Sequence, residues 1–588
     1  MTATRGQIRS AQCDELVQRG LRLHQAGKLA EASALYEQAL GRVPHHAEAN
    51  HLLGVVRLAQ ERLDEALSHI AKAIQANPKN HQYLGNMGVA LNAARQHERA
   101  VEALSRAIAL KPDFAEAYSN RGMALRALGQ YDDAVRSYEE AIRLKPREPG
   151  FYVNLANALD DAGRPHEALD ALDMALRLNP RHAKAQAGRI SVLQALRRFD
   201  EALSAAEVSV AALPGNVDVL KAYGELLEKM GRVEEALHTY ARVLELDPTS
   251  GTSHYHISYR THHRERDASF VAMRRVFEDT ALAPGNRSLA GHALGKALSD
   301  IGEHAESRDV FTQANALHRL DQPYSLSDAL TQMAAISRDF AEVPDRLLGA
   351  GFGDAAPIFI VGLPRAGKTT IEMVLGQSPS AWAGGELGQL RRVILDLPVK
   401  SGRSELRPLS RRRLAAIDAS QLADAGREYV DYVARLAPPG RVTIDTMPPN
   451  FLFLGYLRLM LPNARIIHAV RDPLDHAVAL FEKYFGRSSY GYTNVPGDLA
   501  AYYGAYRRMM DLWKQQAPSS LLEVDVSRLR EDSSLIRQLY AFCGLEPPAH
   551  EPAIPESEPQ AGKDTGQAQA ERERHLDAYK DWSASLKP

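Results

Sequence analysis

Proline returns every 34 residues through the first half of this chain, at Pro44, Pro78, Pro112, Pro146, Pro180, Pro214 and Pro248. Alanine keeps the same interval at Ala32, Ala66, Ala100, Ala134, Ala168, Ala202 and Ala236, and glycine falls in step at Gly27, Gly129, Gly163 and Gly231. A fixed period of this length restricts the fold to a repeat array. Each unit is too small to bury its apolar face alone and must stack on its neighbours. In one unit, residues 117–146, the apolar residues recur at helical spacing, which predicts two amphipathic helices. Gly129 marks the turn between them, and Ala134 is small where the helices approach. Pro146 ends the second helix, because proline lacks an N–H and clashes with the preceding turn.

With Gly, Ala and Pro in phase, this unit closely resembles the tetratricopeptide repeat, over roughly residues 14–252 in about seven units. Residues 253–320 resemble one or two further, degenerate units: HALGKALSDIGEHAESRDVFTQA keeps the shape, but Pro284 falls 36 residues after Pro248. The expected fold class is therefore an α-solenoid over 14–320, a helical connector and linker over 321–354, and a second domain over 355–588. The resemblance implies a concave groove that binds a protein or peptide. Asn86, Asn120 and Asn154 lie 34 apart in first helices and should form a ladder along one face. Their side chains both donate and accept, so they are candidates for holding an extended peptide; polar solvation of the groove is the alternative. His254, His256, His262 and His263 cluster without a known ligand spacing, so a solvated helix face and no metal site are expected there.

The period changes in the second half. PIFIVG (357–362) is a short apolar, β-rich run. RVTID (441–445), ARIIHAV (464–470) and LLEVDV (521–526) have the same character, with helical stretches at 417–436 and 498–516 between them. Such alternation argues for a parallel sheet with helices on both faces. Gly362-Leu-Pro-Arg-Ala-Gly367-Lys368-Thr369 matches G-x-x-x-x-G-K-[ST], with a strand before and a helix after. There backbone N–H groups and a helix N-terminus converge on an anion. The expected architecture is a P-loop-like α/β domain.

The surrounding text is more specific. IFIVGLPRAGKTTIEMVLGQSPSAWAGGEL closely resembles the opening of the sulfotransferase family, and MPPNFLFLGYLRLMLPNARIIHAVRDPLDHAVALFEKYF resembles that family's second motif. The resemblance covers about residues 355–545. It is closest to tetratricopeptide-linked sulfotransferases and more distant from protein-tyrosine sulfotransferases. It implies transfer of a sulfuryl group from 3′-phosphoadenosine 5′-phosphosulfate (PAPS) to a hydroxyl. It also implies roles for residues. Leu363, Pro364, Arg365, Ala366, Gly367, Lys368 and Thr369 would cradle the 5′-phosphosulfate, and Arg471 would bind the 3′-phosphate. Glu386 would be the general base, with Lys368 and Arg365 as catalytic cations. The chemistry needs these types, because sulfuryl transfer spreads charge over sulfonate oxygens and removes a hydroxyl proton.

Some positions depart from the family. Its loop Ser is Ala366, its first loop Thr is Lys368, a lysine after the second-strand Asp is Thr446, and a serine in the second motif is Ala479. The basic tail segment is hard to place, with Arg572, Arg574 and Lys580 as candidates and a Pro/Glu-rich, mobile stretch before them. Two alternatives stay open: a catalytically dead scaffold acting through its repeats, and an NTP-dependent kinase or NTPase with Asp445 as a magnesium ligand.

Charge excludes other classes. The 71 Lys+Arg balance 73 Asp+Glu to a net charge of -2, which gives no support to nucleic-acid coating or polybasic membrane binding. Two cysteines, Cys13 and Cys543, rule out a disulfide framework. The opening MTATRGQIRSAQCDEL lacks an apolar signal region, and no stretch reaches the roughly 18 apolar residues of a membrane span, so a cytoplasmic location is expected. A tyrosine, a saccharide and a small metabolite all present hydroxyls, and the sequence chooses neither among them nor an oligomeric state.

Overall fold

A computed structural model of the chain describes residues 5–397, 414, 417–486, 488–550, 552–554 and 565–586. The chain divides into two compact units, Met1–Arg242 and Val243–Pro588.

In the first unit, helix Arg5–Gln25 pairs with Leu29–Arg42, Ala47–Ala59 with Leu63–Ala76, and so on in steps of one repeat. All the periodic alanines are buried, from Ala32 at 0% exposure to Ala236 at 1%. The residue that turns the first helix into the second adopts a left-handed backbone throughout. It is Gly27, Gly129, Gly163 and Gly231, but Glu61, Arg95 and Arg197 at the same register elsewhere. The turn geometry is thus imposed by packing even where the sequence supplies a residue for which that conformation is unfavourable. First helices of adjacent units also touch one another, as do Ala115–Ala127 and Pro149–Asp161.

The second unit begins with helices Gly251–Arg260, Ala268–Glu278, Pro284–Asp300 and His304–Asp321, followed by Leu326–Asp339. These helices pack onto the α/β part of the same unit. The Tyr259 hydroxyl donates to the Glu482 carbonyl at 2.6 Å, and Asn315 Nδ2 to the Phe481 carbonyl at 2.8 Å. His318 stacks on Tyr484, with ring centroids 4.5 Å apart. The histidine cluster is a solvated face only in part: His262 is exposed and His256 half-buried. His254 and His263 are buried, at 6% and 8% exposure, and bond to the Pro248 carbonyl and the Ser258 hydroxyl. An aromatic ring among apolar neighbours adds to burial, and its nitrogens are met locally.

The sheet holds β1 (Ile358–Val361), β2 (Ala381–Ala383), β3 (Val442–Asp445), β4 (Arg465–Val470) and β5 (Leu521–Asp525), in the order β2-β3-β1-β4-β5. All pairs are parallel, and the register sets Ile358 opposite both Ile444 and Arg465. Along β1 every residue is buried. Phe359 and Val361 face one core, Ile358 and Ile360 the other, as alternation requires of a sheet covered on both faces. Strand order reverses between β1 and β4, so the crevice beyond their carboxyl ends is the place where such sheets bind ligands. Among the described residues, no helix is long and apolar enough to cross a membrane.

Candidate functional site

Two chain segments leave the sheet side by side, one after β1 and one after β4. Strand β1 ends at Gly362, whose φ of 154° and close fit (an added Cβ would lie 3.0 Å from the Ala469 carbonyl oxygen of β4) leave room only for glycine. The loop then runs to Gly367 and opens the helix Lys368–Leu375. Arg365 is held with φ 63°, a left-handed conformation costly for a side-chain-bearing residue. Leu363, Pro364 and Ala366 are buried, whereas Arg365 and Thr369 are exposed.

Three successive loop carbonyls are tied down by side-chain donors. Lys368 Nζ donates to Leu363 O at 3.1 Å, His476 Nε2 to Pro364 O at 2.8 Å, and Arg471 Nη1 to Arg365 O at 3.0 Å. Occupying the negative ends of these peptides leaves the loop's N–H ends and the helix terminus to dominate the local field. His476 is a residue the sequence reading missed. It lies on helix Pro473–Phe481, and full burial pushes its pKa down to about 3, so its neutral ring donates through Nε2–H. An Arg-Asp-Pro motif followed by histidine gives no sign of that role, because the partner is a backbone carbonyl far away in sequence.

Lys368 is 7% exposed, and burial lowers its pKa to about 8, while the charge of Glu386 pulls it back upward. Glu386 itself is exposed on the turn after β2. That turn is fixed from several sides. Gly384 N donates to Ile444 O at 2.9 Å, Thr446 N donates to Gly385 O at 2.9 Å, and Gly385 N donates to Glu372 Oε1 at 2.7 Å. Glu372 belongs to the helix that starts at Lys368, so the carboxylate turn and the phosphate-loop helix are braced together.

Asp445 ends β3, fully buried. Its Oδ1 accepts from Met447 N and Asn450 Nδ2 at 3.0 and 3.2 Å, and its Oδ2 accepts from the Tyr429 hydroxyl at 2.9 Å. Burial raises its pKa to about 7 against these donors. It organises the segment after β3 and offers no open oxygen to a cation, contrary to the magnesium-ligand alternative. Thr446, where a lysine is expected in the family, is buried at 4% exposure. Lys368 brings an ammonium to the loop, bonded to the Leu363 carbonyl.

Arg471 also pairs with Asp475, whose side chain is 9% exposed. The tail helix Thr565–Asp577 delivers Arg572 to the same carboxylate, with Nε donating to Oδ1 at 3.1 Å. Arg471, Asp475 and Arg572 therefore form one cluster at the mouth of the crevice. The structure brings only this member of the tail trio there: Arg574 is exposed, and Lys580 pairs with Asp577 at 3.1 Å. The Pro/Glu-rich stretch before the helix lies largely outside the described residues.

In the first unit, Asn86, Asn120 and Asn154 occupy the same register of their helices and are each half-buried. Asn86 Nδ2 lies 2.7 Å from His51 Nε2, and Asn154 Nδ2 donates to the Ser119 hydroxyl at 3.4 Å. Each of these bonds reaches back one repeat.

Residues 357–549 match the model of the sulfotransferase family. The second unit carries a sulfotransferase-family domain. Tetratricopeptide-repeat models match residues 17–81, 115–148, 153–217 and 193–256, so the sulfotransferase-family domain follows an array of tetratricopeptide repeats. An uncharacterized protein of Aquifex aeolicus (strain VF5) is 28% identical over 289 residues, covering 48% of this chain and 38% of that protein. Among solved structures, PilF of Pseudomonas aeruginosa is 22% identical, covering 38% of this chain and 99% of its own, with a TM-score of 0.33. A tetratricopeptide repeat protein from Parabacteroides merdae is 16% identical, covering 42% of this chain and 98% of its own, with a TM-score of 0.37.

Proposed function

We propose that this chain transfers the sulfuryl group of PAPS to a hydroxyl of a protein or other acceptor, with the repeat array holding the partner or substrate. The observation that carries this reading is the loop after β1, its carbonyls at 363, 364 and 365 capped by Lys368, His476 and Arg471 at the start of a helix. Such a loop suits a sulfonate or phosphate anion. The residues present fit. Gly367 has no room for a Cβ, which would meet Val526 Cγ1 at 2.6 Å, and among the described residues Lys368 Nζ is bonded to one carbonyl, leaving further donors of its ammonium for a ligand.

When bound, PAPS supplies the activated sulfuryl group and a bisphosphate leaving group. Residues 363–369 cradle the phosphosulfate, and Lys368 and Arg365 neutralise charge on the oxygens. Arg471, with Arg572 beside it, holds the 3′-phosphate. Glu386, exposed and across from Lys368, takes the proton from the acceptor hydroxyl.

Calorimetric titration of the full chain with adenosine 3′,5′-bisphosphate (PAP), and separately with ATP and Mg²⁺, tests the reading. The lowered pKa of Lys368, about 8, sets a sign. An anion favours the charged ammonium, so binding takes up a proton once the free amine begins to titrate. PAP affinity should be level below pH 8 and fall by up to about tenfold per pH unit above it. Lys368→Met should weaken binding and abolish that slope. Binding of ATP without PAP would reassign the loop to a nucleoside triphosphate. A folded chain that binds neither would favour the scaffold alternative.

The asparagine ladder is proposed as the contact for an extended peptide backbone in the repeat array. Replacing Asn86, Asn120 and Asn154 together by alanine should reduce recovery of a native partner in pull-downs without lowering helix content. Undiminished recovery would leave these side chains the role of tying one repeat to the next.

A further inference from the structure

The tail is held by the helical part of the second unit, and none of the roles above uses that hold. Arg308, on helix His304–Asp321, grips the chain just beyond the tail helix at two points. Its Nη1 donates to the Ala578 carbonyl at 2.5 Å, and Nη1 and Nη2 donate to Asp581 Oδ1 and Oδ2 at 3.0 and 2.9 Å. The same guanidinium lies over the rings of Tyr579 and Trp582, 5.5 and 5.8 Å from their centroids. A planar fork matches a carboxylate in this way and still stacks on aromatic faces, which suits arginine and not lysine.

The two rings are also the tail's contact with helix Pro473–Phe481. Tyr579 is fully buried and Trp582 is 9% exposed, and their ring centroids lie 6.3 and 4.9 Å from that of Phe481. The Tyr579 hydroxyl donates to Glu482 Oε1 at 2.8 Å, and His575 Nε2 lies 3.0 Å from the same oxygen. On its other side His575 Nδ1 lies 3.2 Å from His304 Nδ1 and 3.3 Å from the Ser299 hydroxyl. The tail is therefore fixed between two helices of the helical part and the end of helix Pro473–Phe481. One turn before His575 stands Arg572, on Asp475 near the start of that same helix.

We propose that Arg308 is a positioning residue for Arg572: by seating residues 578–582 it holds the tail helix along helix Pro473–Phe481, with Arg572 at the mouth of the crevice. Arg572 cannot hold that place alone. Its side chain is 52% exposed, and an exposed ion pair is worth little against the freedom that a long side chain loses in making it. Anchoring the backbone beyond it removes part of that freedom beforehand. With the seat lost, the tail guanidinium leaves and Asp475 keeps Arg471. The contribution of the seat to ligand binding rests on the sulfotransferase reading; its hold on the tail does not.

The test uses full-length Arg308→Ala, Asp581→Ala, Arg572→Ala and the double variant Arg308→Ala/Arg572→Ala, with two readouts. One is the rate at which trypsin cuts after Arg574 under native conditions, read by mass spectrometry, which needs no ligand. A helix must open before it is cut, so the rate follows the open population. Cuts elsewhere in the chain are the control for general loosening. The other readout is PAP affinity by calorimetry. Arg308→Ala should speed the tail cut about tenfold, as expected for loss of charge-assisted bonds, with cuts elsewhere unchanged. Asp581→Ala removes only an exposed partner, which leaves the fold intact, and should speed the cut about threefold. Arg308→Ala should weaken PAP binding at most as far as Arg572→Ala does, and in the Arg572→Ala chain it should change nothing more. A tail cut at the wild-type rate in Arg308→Ala or Asp581→Ala, or an equal loss of affinity with and without Arg572, overturns the proposal. A wild-type chain that does not bind PAP sinks the sulfotransferase reading instead, and the tail cuts still decide the seat.

Discussion

Glutamine in place of Glu386 is expected to slow sulfuryl transfer by about 10²–10⁴-fold, the usual contribution of a positioned general base, with little change in PAP affinity. The substitution keeps the shape of the side chain and removes its ability to take a proton. Glu386 is exposed on a turn held by the backbone of β3 and by Glu372, so the turn itself should survive the change. One secondary effect has a definite sign. The Glu386 charge raises the pKa of Lys368 against burial, so its removal should lower the Lys368 midpoint below about 8. Fewer lysines are then charged at neutral pH, but loss of the carboxylate also relieves its repulsion of the anion, so PAP affinity should change little. The rate is measured as transfer of labelled sulfuryl from PAPS to a panel of phenols, saccharides and tyrosine peptides, the affinity by calorimetry. A glutamine variant that turns over at the wild-type rate removes Glu386 from the role of base.

The elements most legible in the sequence are those whose cause is local. The 34-residue clock places both helices of each repeat, because Gly, Ala and Pro each answer a steric demand within one unit. Four of the strands are readable in the sequence as short β-rich runs, and β1 is apolar throughout, as a strand buried on both faces requires. The strand Ala381–Ala383 is not, since its three residues carry no period. In the site, the glycines at 362 and 367 and the order of loop and helix are sequence signals with a backbone cause. The donors that hold the loop's carbonyls are different. His476 and Arg471 act on residues 112 and 106 positions away. Such contacts exist only after the parallel crossovers bring β1 and β4 together. The histidines at 254 and 263 follow the same logic in reverse, since a polar run is buried once neighbouring helices close over it.

Alanine at Arg471 is expected to weaken PAP binding by about 10–150-fold, the equivalent of roughly 1.5–3 kcal/mol for a hydrogen bond between charged groups. Among the described residues Arg471 meets the Arg365 carbonyl and the Asp475 carboxylate, so it reaches the crevice already oriented. Lysine at this position should recover only part of the loss, because a single ammonium cannot reproduce the planar fork. Arg572→Ala alone should cost less, since its side chain is 52% exposed and water screens it. Removing both should cost more than the sum of the two. Asp475 is a nearly buried carboxylate neutralised by either arginine, and with neither present its charge repels the phosphate. The cycle is read as four PAP dissociation constants at one ionic strength, with thermal unfolding confirming that each chain is folded. Simple additivity would mean that Arg572 contacts solvent and Asp475 alone, whereas an Arg471→Ala chain binding PAP like wild type would place the 3′-phosphate elsewhere.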